Sequence, residues 1–206
     1  MKTIWKGGAL LAPVPPVMVS CGTMTSANII TVAWTGIVNT HPPKTYISLR
    51  KSRYSYPIIK ESGEFVINLT TAEMIKHADF CGIHTGRKVD KFTRCHFDKI
   101  PASSVSCPMI AQSPLHLECK VDQILTLGSH DMLLADIVAV QVDNSLLDKT
   151  GRLHLERAGL AAFAHGQYYS LGKSIGTFGF SVKKPKQTNR PIQSQHAEPN
   201  AKQFNK

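Results

Sequence analysis

The sequence predicts a mainly β protein: a closed antiparallel β-barrel with a few short helices. Three observations carry this expectation. Long β-prone runs recur along the chain, only two segments show helical spacing, and the connections of 5 to 20 residues join strands without a repeating strand–helix alternation.

The elements follow in order. Residues 17–21 (Val-Met-Val-Ser-Cys) form a β-prone run after Pro16 that stops at Gly22 and Thr23. Residues 28–38 are rich in β-branched side chains and read as one strand, ending at Asn39 and the Pro42-Pro43 turn. Two further strands are expected at 45–49 and 64–68, each bounded by turn residues or charges. Between them, residues 54–60 suit a short helix with Pro57 in its first turn. Residues 71–80 suit a helix capped by Thr71, with Met74, Ile75 and Ala78 on one face. Two long strands close the pattern: 115–125, alternating over its first half, and 132–143, alternating from Asp136 onward.

Composition narrows the function classes. With 206 residues, 42% hydrophobic and 18% charged, the chain has enough apolar content for a closed core, which excludes wholesale disorder. No apolar run reaches the ~18 residues of a membrane span. The net charge is +10, and half of it lies beyond Val182, where six cations face one anion. A single domain over 1–182 is therefore expected, followed by a basic tail at 183–206 that reads as a flexible or partner-draped extension. Five cysteines, an odd count without CxxC or zinc spacing, favour a reducing compartment over a disulfide framework. The start of the chain resembles a short signal sequence. However, Pro13, Pro15 and Pro16 interrupt the apolar stretch after five residues, so a cytoplasmic location is expected. Neither GxGxxG after a strand nor GxxxxGK[ST] occurs.

Three constellations bear chemistry. Residues 48–55 contain Arg50, Lys51, Arg53 and three serines at a strand-to-helix junction. Guanidinium forks, hydroxyls and helix N–H groups suit a phosphate dianion, and a solvated basic turn is the competing reading. Residues 25–34 place small polar side chains around a strand that can offer its backbone to a flat heterocycle. Asn28 and Thr31 would add side-chain donors there and Trp34 an aromatic wall, although pattern alone favours Trp34 as core. The third comprises Lys91, in a charged segment at 86–92, and His130, in the polar break between the two long strands. Taken singly, each is more often structural or solvent-facing than catalytic.

The order of these motifs resembles the flavin reductase-like family, with its FMN-binding split-barrel fold, closest to the flavoredoxin and ferric-reductase branch. The motifs are 25–34, 48–55, 86–92, Leu117-Glu-Cys-Lys, Leu127-Gly-Ser-His-Asp-Met-Leu-Leu-Ala-Asp-Ile-Val and Tyr168-Tyr-Ser-Leu-Gly. The resemblance covers roughly residues 10–182. It implies that Asn28, Thr31, Val32, Ala33 and Trp34 line the flavin ring and that Arg50, Arg53 and Ser55 bind the FMN phosphate. It further implies that Lys91 and His130 lie near the flavin as the reactive pair, that Phe163 forms an apolar wall, and that the protein is a homodimer. No metal is implied. NADH, NADPH or a redox partner is the expected electron donor, with free flavin, ferric iron or a redox protein as acceptor.

Two alternatives stand beside an FMN oxidoreductase or electron carrier. One is a non-enzymatic basic module for nucleic acid or another anionic partner. Against it, aromatic residues amount to only 7% and no interleaved aromatic–basic strand is visible. The other keeps the bound FMN as a sensor or storage group.

Overall fold

The computed structural model describes residues 1–182. The expected basic tail lies outside the described residues. All strands fall in one compact unit, Met1–Leu171; beyond it, a 3₁₀ turn covers Phe180–Val182.

The strands are β1 Val17–Gly22, β2 Ala27–Val32, β3 Thr35–Thr40, β4 Pro43–Leu49, β5 Glu64–Asn68, β6 Lys99–Ile100, β7 Met109–Ile110, β8 Leu115–Thr126, β9 Asp131–Val142, β10 Ala161–Ala164 and β11 Gln167–Ser170. The helices are α1 Ser55–Ser62, α2 Ile75–Ile83 and α3 Lys91–Arg94. Seven strands form one antiparallel sheet in the order β2-β1-β5-β8-β9-β4-β3. The two ends of that order, β2 and β3, are consecutive in the chain and separated only by Ala33 and Trp34. One bent segment therefore pairs with β1 through its first half and with β4 through its second, closing the sheet into the expected barrel. This divides what the sequence suggested as a single strand over 28–38. A strand closing a barrel must turn from one neighbour to the other, and β-branched content does not mark where it turns.

The barrel core comes from inward residues of six strands, among them Val19, Ile30, Ile47, Phe65, Cys119 and Leu133, each at most 4% exposed. From α1, Tyr56 and Ile59 join the same cluster and plug the barrel; Gly63, at φ +69, ends the helix by donating to the Ile59 carbonyl. Why β1 reads as an unbroken apolar run is now clear. Its inward residues Val17, Val19 and Cys21 meet the barrel core, while outward Met18 packs with Ile29 beneath α2 and α3. That second layer holds Ala78, Cys81, Phe92 and Cys95.

Three local expectations are corrected. Thr71 precedes a 3₁₀ turn, Ala72–Met74, without a side-chain cap, and the α-helix begins only at Ile75. Buried alternation in β9 occupies Asp131, Leu133 and Ala135 instead of starting at Asp136, because this end pairs with β4 at the barrel wall. In β8, a register shift between Glu118 and Cys119 buries both and breaks the alternation. Among the described residues all five cysteines are buried and unpaired, and no helix is long and apolar enough to cross a membrane.

Candidate functional site

The site begins at the free edge of β2, which hydrogen-bonds to β1 alone. The Ile29 carbonyl points away from β1, since it accepts from Lys91 Nζ at 2.7 Å. With a strand's period of two, the Thr31 N–H and C=O turn the same way and offer a donor–acceptor pair. Across from this edge, β4 ends at Leu49 and the chain turns through Arg50–Tyr54 into α1. The Arg53 N–H donates to the Arg50 carbonyl at 3.0 Å and the Tyr56 N–H to the Arg53 carbonyl at 3.0 Å. Buried Asp131 anchors this turn: it accepts from the Tyr56 hydroxyl and lies 3.6 Å from Lys51 Nζ.

Two joined cavities occupy the space between. The larger, about 430 Å³, is lined by Asn28, Ile30, Arg50, Arg53, Ser55 and Lys91, with Ser52, Tyr54 and the loop residues His84, Thr85 and Gly86. The smaller, about 180 Å³, shares Ile30, Arg50 and Arg53 and continues along Thr31, Val32, Ala33 and Trp34 to Ser48 and His130. Trp34 and Arg50 thus face one groove. Phe163 stands further along, sharing a neighbouring cavity with Trp34.

The electrostatics are one-sided. Arg50, Arg53 and Lys91 line the groove, and among the described residues no Asp or Glu does. Arg50 and Arg53 make no ion pair among the described residues. Lys91 is only 3% exposed and has no carboxylate partner; its ammonium group donates to the Ile29 and Cys81 carbonyls, each at 2.7 Å. That leaves one N–H for the cavity the side chain lines. Burial, with Arg53 adding repulsion, holds its pKa below the ordinary lysine value. A buried ammonium without a carboxylate is only partly compensated by two carbonyls, so a ligand bringing negative charge would complete its surroundings. His130 is held below its usual value by burial and by Arg50 and Arg53, leaving the imidazole neutral at pH 7. Its ring lies 4.7 Å from the Trp34 indole, and Nδ1 is 2.9 Å from the Ser129 hydroxyl.

Some expected roles change. Trp34 is 45% exposed and walls the groove, contrary to the core placement that pattern favoured. The Thr31 hydroxyl donates its single proton to the Ala78 carbonyl, so Thr31 offers the groove its backbone and not a side-chain donor. Asn28 gives one amide proton to Ser55 Oγ at 2.7 Å, which fixes both side chains beneath the basic turn. Three contributions go beyond the roles read from sequence, which marked 86–92 only as a charged segment. Gly86 presses so close that a Cβ there would stand 2.1 Å from Asn28 Oδ1. Arg87 reaches across to lie 5.9 Å from the Tyr54 ring centre, joining the two lips of the larger cavity. The stretch 9–12 adds an apolar wall near Trp34. Only the Thr85-Gly86-Arg87 turn carried any signal, as a glycine amid charge.

Comparison with known proteins places this arrangement. The family model described as flavin reductase like domain matches residues 11–172. Flavoredoxin of Desulfovibrio vulgaris (Miyazaki F) superimposes with a TM-score of 0.82 at 30% identity, covering 89% of this chain and 100% of that one. Flavoredoxin from Methanosarcina acetivorans gives 0.79 at 25% identity, with the same coverage of 89% and 100%. The FMN reductase (NADH) RutF of Enterobacter cloacae subsp. cloacae is 22% identical over 103 residues, half of this chain and 60% of that protein.

Proposed function

The chain belongs to the flavin reductase-like family, and on that footing we propose that it is an FMN-holding oxidoreductase. In this reading it receives a hydride from NADH or NADPH, or electrons from a redox partner, and passes them to free flavin, ferric iron or another acceptor. The observation that carries it is the buried, anion-less Lys91 beside two arginines in a groove without carboxylates. The residues fit FMN: Arg50 and Arg53 suit a phosphate dianion, with Ser55 behind them, and the free Thr31 backbone suits the polar rim of a flat heterocycle. Bound FMN would supply the two-electron chemistry. The protein would orient it along β2 against Trp34, and Lys91 would favour whichever state of the ring carries more negative charge. With the Ser129 hydroxyl donating to Nδ1, neutral His130 would turn its Nε2–H toward the same ring.

The working unit in this reading is a homodimer. Support comes from an apolar groove of about 310 Å³ lined by Val17, Ile37, Leu69, Leu115, Leu117 and Leu155, and from Ile37, Val38, Val138 and Val140, each at least 41% exposed. Five buried thiols support a reducing cytoplasm.

The purified protein, reconstituted with FMN, should show shifted flavin absorption bands that NADH or NADPH bleaches in stopped-flow. Protein that leaves the FMN spectrum and its own melting temperature unchanged would reject the reading. Binding without bleaching by either nucleotide would leave the electron-carrier form, with reduction by a partner.

A further inference from the structure

Beside the flavin groove lies a second cavity, bounded by Trp34 and by Phe163, the expected apolar wall. It measures about 420 Å³ and is lined by residues 9–12 with Val14, Trp34, Phe163, His165 and Gly166. An adjoining lobe of about 300 Å³ shares Leu11, Val14 and Trp34 with it, and Ala33, Trp34 and Ser48 with the flavin groove. The Trp34 indole is the common wall throughout. The N-terminal stretch is docked here by reciprocal hydrogen bonds between Val14 and Phe163, at 2.9 and 2.8 Å. His165 sits in the two-residue turn between β10 and β11, where it and Gly166 both take positive φ (+48 and +83), as such hairpin turns require.

The contrast in charge is what matters. Three cations line the flavin groove, yet among the described residues no Lys, Arg, Asp or Glu lines this cavity or its lobe. Its walls are aliphatic side chains, an indole and a benzyl ring, with the His165 imidazole as the polar group. An anion moved into such walls loses hydration without gaining a partner, while a neutral aromatic ring gains stacking. Size agrees: a cavity of about 150 Å³ holds one benzene, so this one has room for two fused rings.

We propose that this cavity is the acceptor site and that it selects neutral, planar, quinone-type acceptors over anionic ones such as phosphorylated flavin or ferric carboxylate complexes. The proposal rests on the FMN reading, because the flavin would reduce what binds here. Through the opening that the lobe shares with the flavin groove at Ala33, Trp34 and Ser48, the quinone would take a hydride from bound reduced FMN and a proton from solvent and leave as the hydroquinone. NADH supplies the replacing hydride and becomes NAD⁺. One imidazole N–H of His165 can hold a quinone carbonyl while the ring stacks against Trp34.

Binding is testable without turnover. Trp5 and Trp34 are the only tryptophans, so in a Trp5→Phe background the fluorescence reports Trp34 alone. The full chain without FMN is titrated with 1,4-naphthoquinone and with its 2-sulfonate. Saturable quenching by the neutral quinone is expected, with the sulfonate about tenfold weaker or more. Leu11→Glu should weaken the neutral quinone about tenfold, and Leu11→Arg should bring the sulfonate close to it. Equal binding of the two probes, quenching that never saturates, or an unchanged Leu11→Glu titration would each overturn the proposal. A parallel FMN titration separates the two readings. FMN binding with unsaturable naphthoquinone rejects the acceptor site alone; saturable naphthoquinone without FMN binding rejects the flavin reading and leaves a quinone pocket.

Discussion

A lysine ammonium group held at 3% exposure by two carbonyls is the residue-scale feature with the largest consequence. Because Lys91 also touches the groove, its charge acts on whatever lies there. Lys91→Met should lower the midpoint potential of bound FMN by about 30–65 mV, the equivalent of one charge-assisted contact to the two-electron reduced form. Potentiometry with reference dyes checks this, and a pure loss of FMN affinity at constant potential would make Lys91 a phosphate ligand instead. Arg50→Ala should weaken FMN more than riboflavin, since riboflavin lacks the phosphate. A second buried group sets a pH dependence. The His116 imidazole, 5% exposed and 2.9 Å from Asn68 Oδ1, is pushed by burial down to about 4, with the Glu118 carboxylate opposing. Asn68 Oδ1 also accepts from the Ile110 N–H, so Nδ1 must be the donor, and burial favours the neutral ring. Between pH 6.5 and about 4 the unfolded chain binds a proton that the folded chain refuses. Stability should be full above that window and decline through it as pH falls, by at most about 3 kcal/mol. Denaturant titrations at both ends, repeated with His116→Gln, should show the slope flatten. At this scale charge was legible and geometry was not. Arg50 and Arg53 marked a basic turn suited to an anion, whereas nothing in the sequence around Thr31 or Trp34 told which way either side chain would point.

At the scale of elements, the decisive pieces are two loops that meet over a strand. The basic turn after β4 and the loop 84–88 after α2 come together above β2, with Gly86 against Asn28 and Arg87 over Tyr54. A Cβ at Gly86 would lie 2.1 Å from Asn28 Oδ1 and 2.6 Å from Tyr54 Cδ1, so Gly86→Ala must push the loop outward and open the larger cavity. Overpacking of this kind costs about 1–3 kcal/mol, and FMN affinity should fall about tenfold or more. An FMN titration of the variant measures this, and affinity equal to the parent chain would show the loop to be irrelevant to the ligand. Strand existence was readable because β-branched runs and bounding turns are local properties. The corner at Ala33 and Trp34 was not, since it exists only to carry one segment from β1 to β4. Helix α2 starts late for a related reason: Thr71 makes an isolated bridge with Leu160, which holds it in extended backbone.

For the whole molecule, closure of the barrel leaves a convex outside on which Ile37, Val138 and Val140 remain exposed. If that face joins two copies, Ile37→Lys with Val140→Lys should convert a dimer to a monomer. Sedimentation velocity at matched concentrations reads the result, and a wild-type chain that already runs as a monomer would remove the homodimer from the functional reading. What the sequence determined by itself was the main runs of the large sheet, without the division at Ala33 and Trp34 or the short strands β6, β7, β10 and β11, together with the barrel class, the basic turn and the family likeness. All of these reside in local composition or in the linear order of motifs. Tertiary structure alone decided which groups share a groove. Asn28 meets Ser55, Lys91 reaches Ile29, and Trp34 faces Arg50 because the sheet closes at one corner. Contacts between segments so far apart in the chain are set by that closure and leave no periodic trace in the sequence.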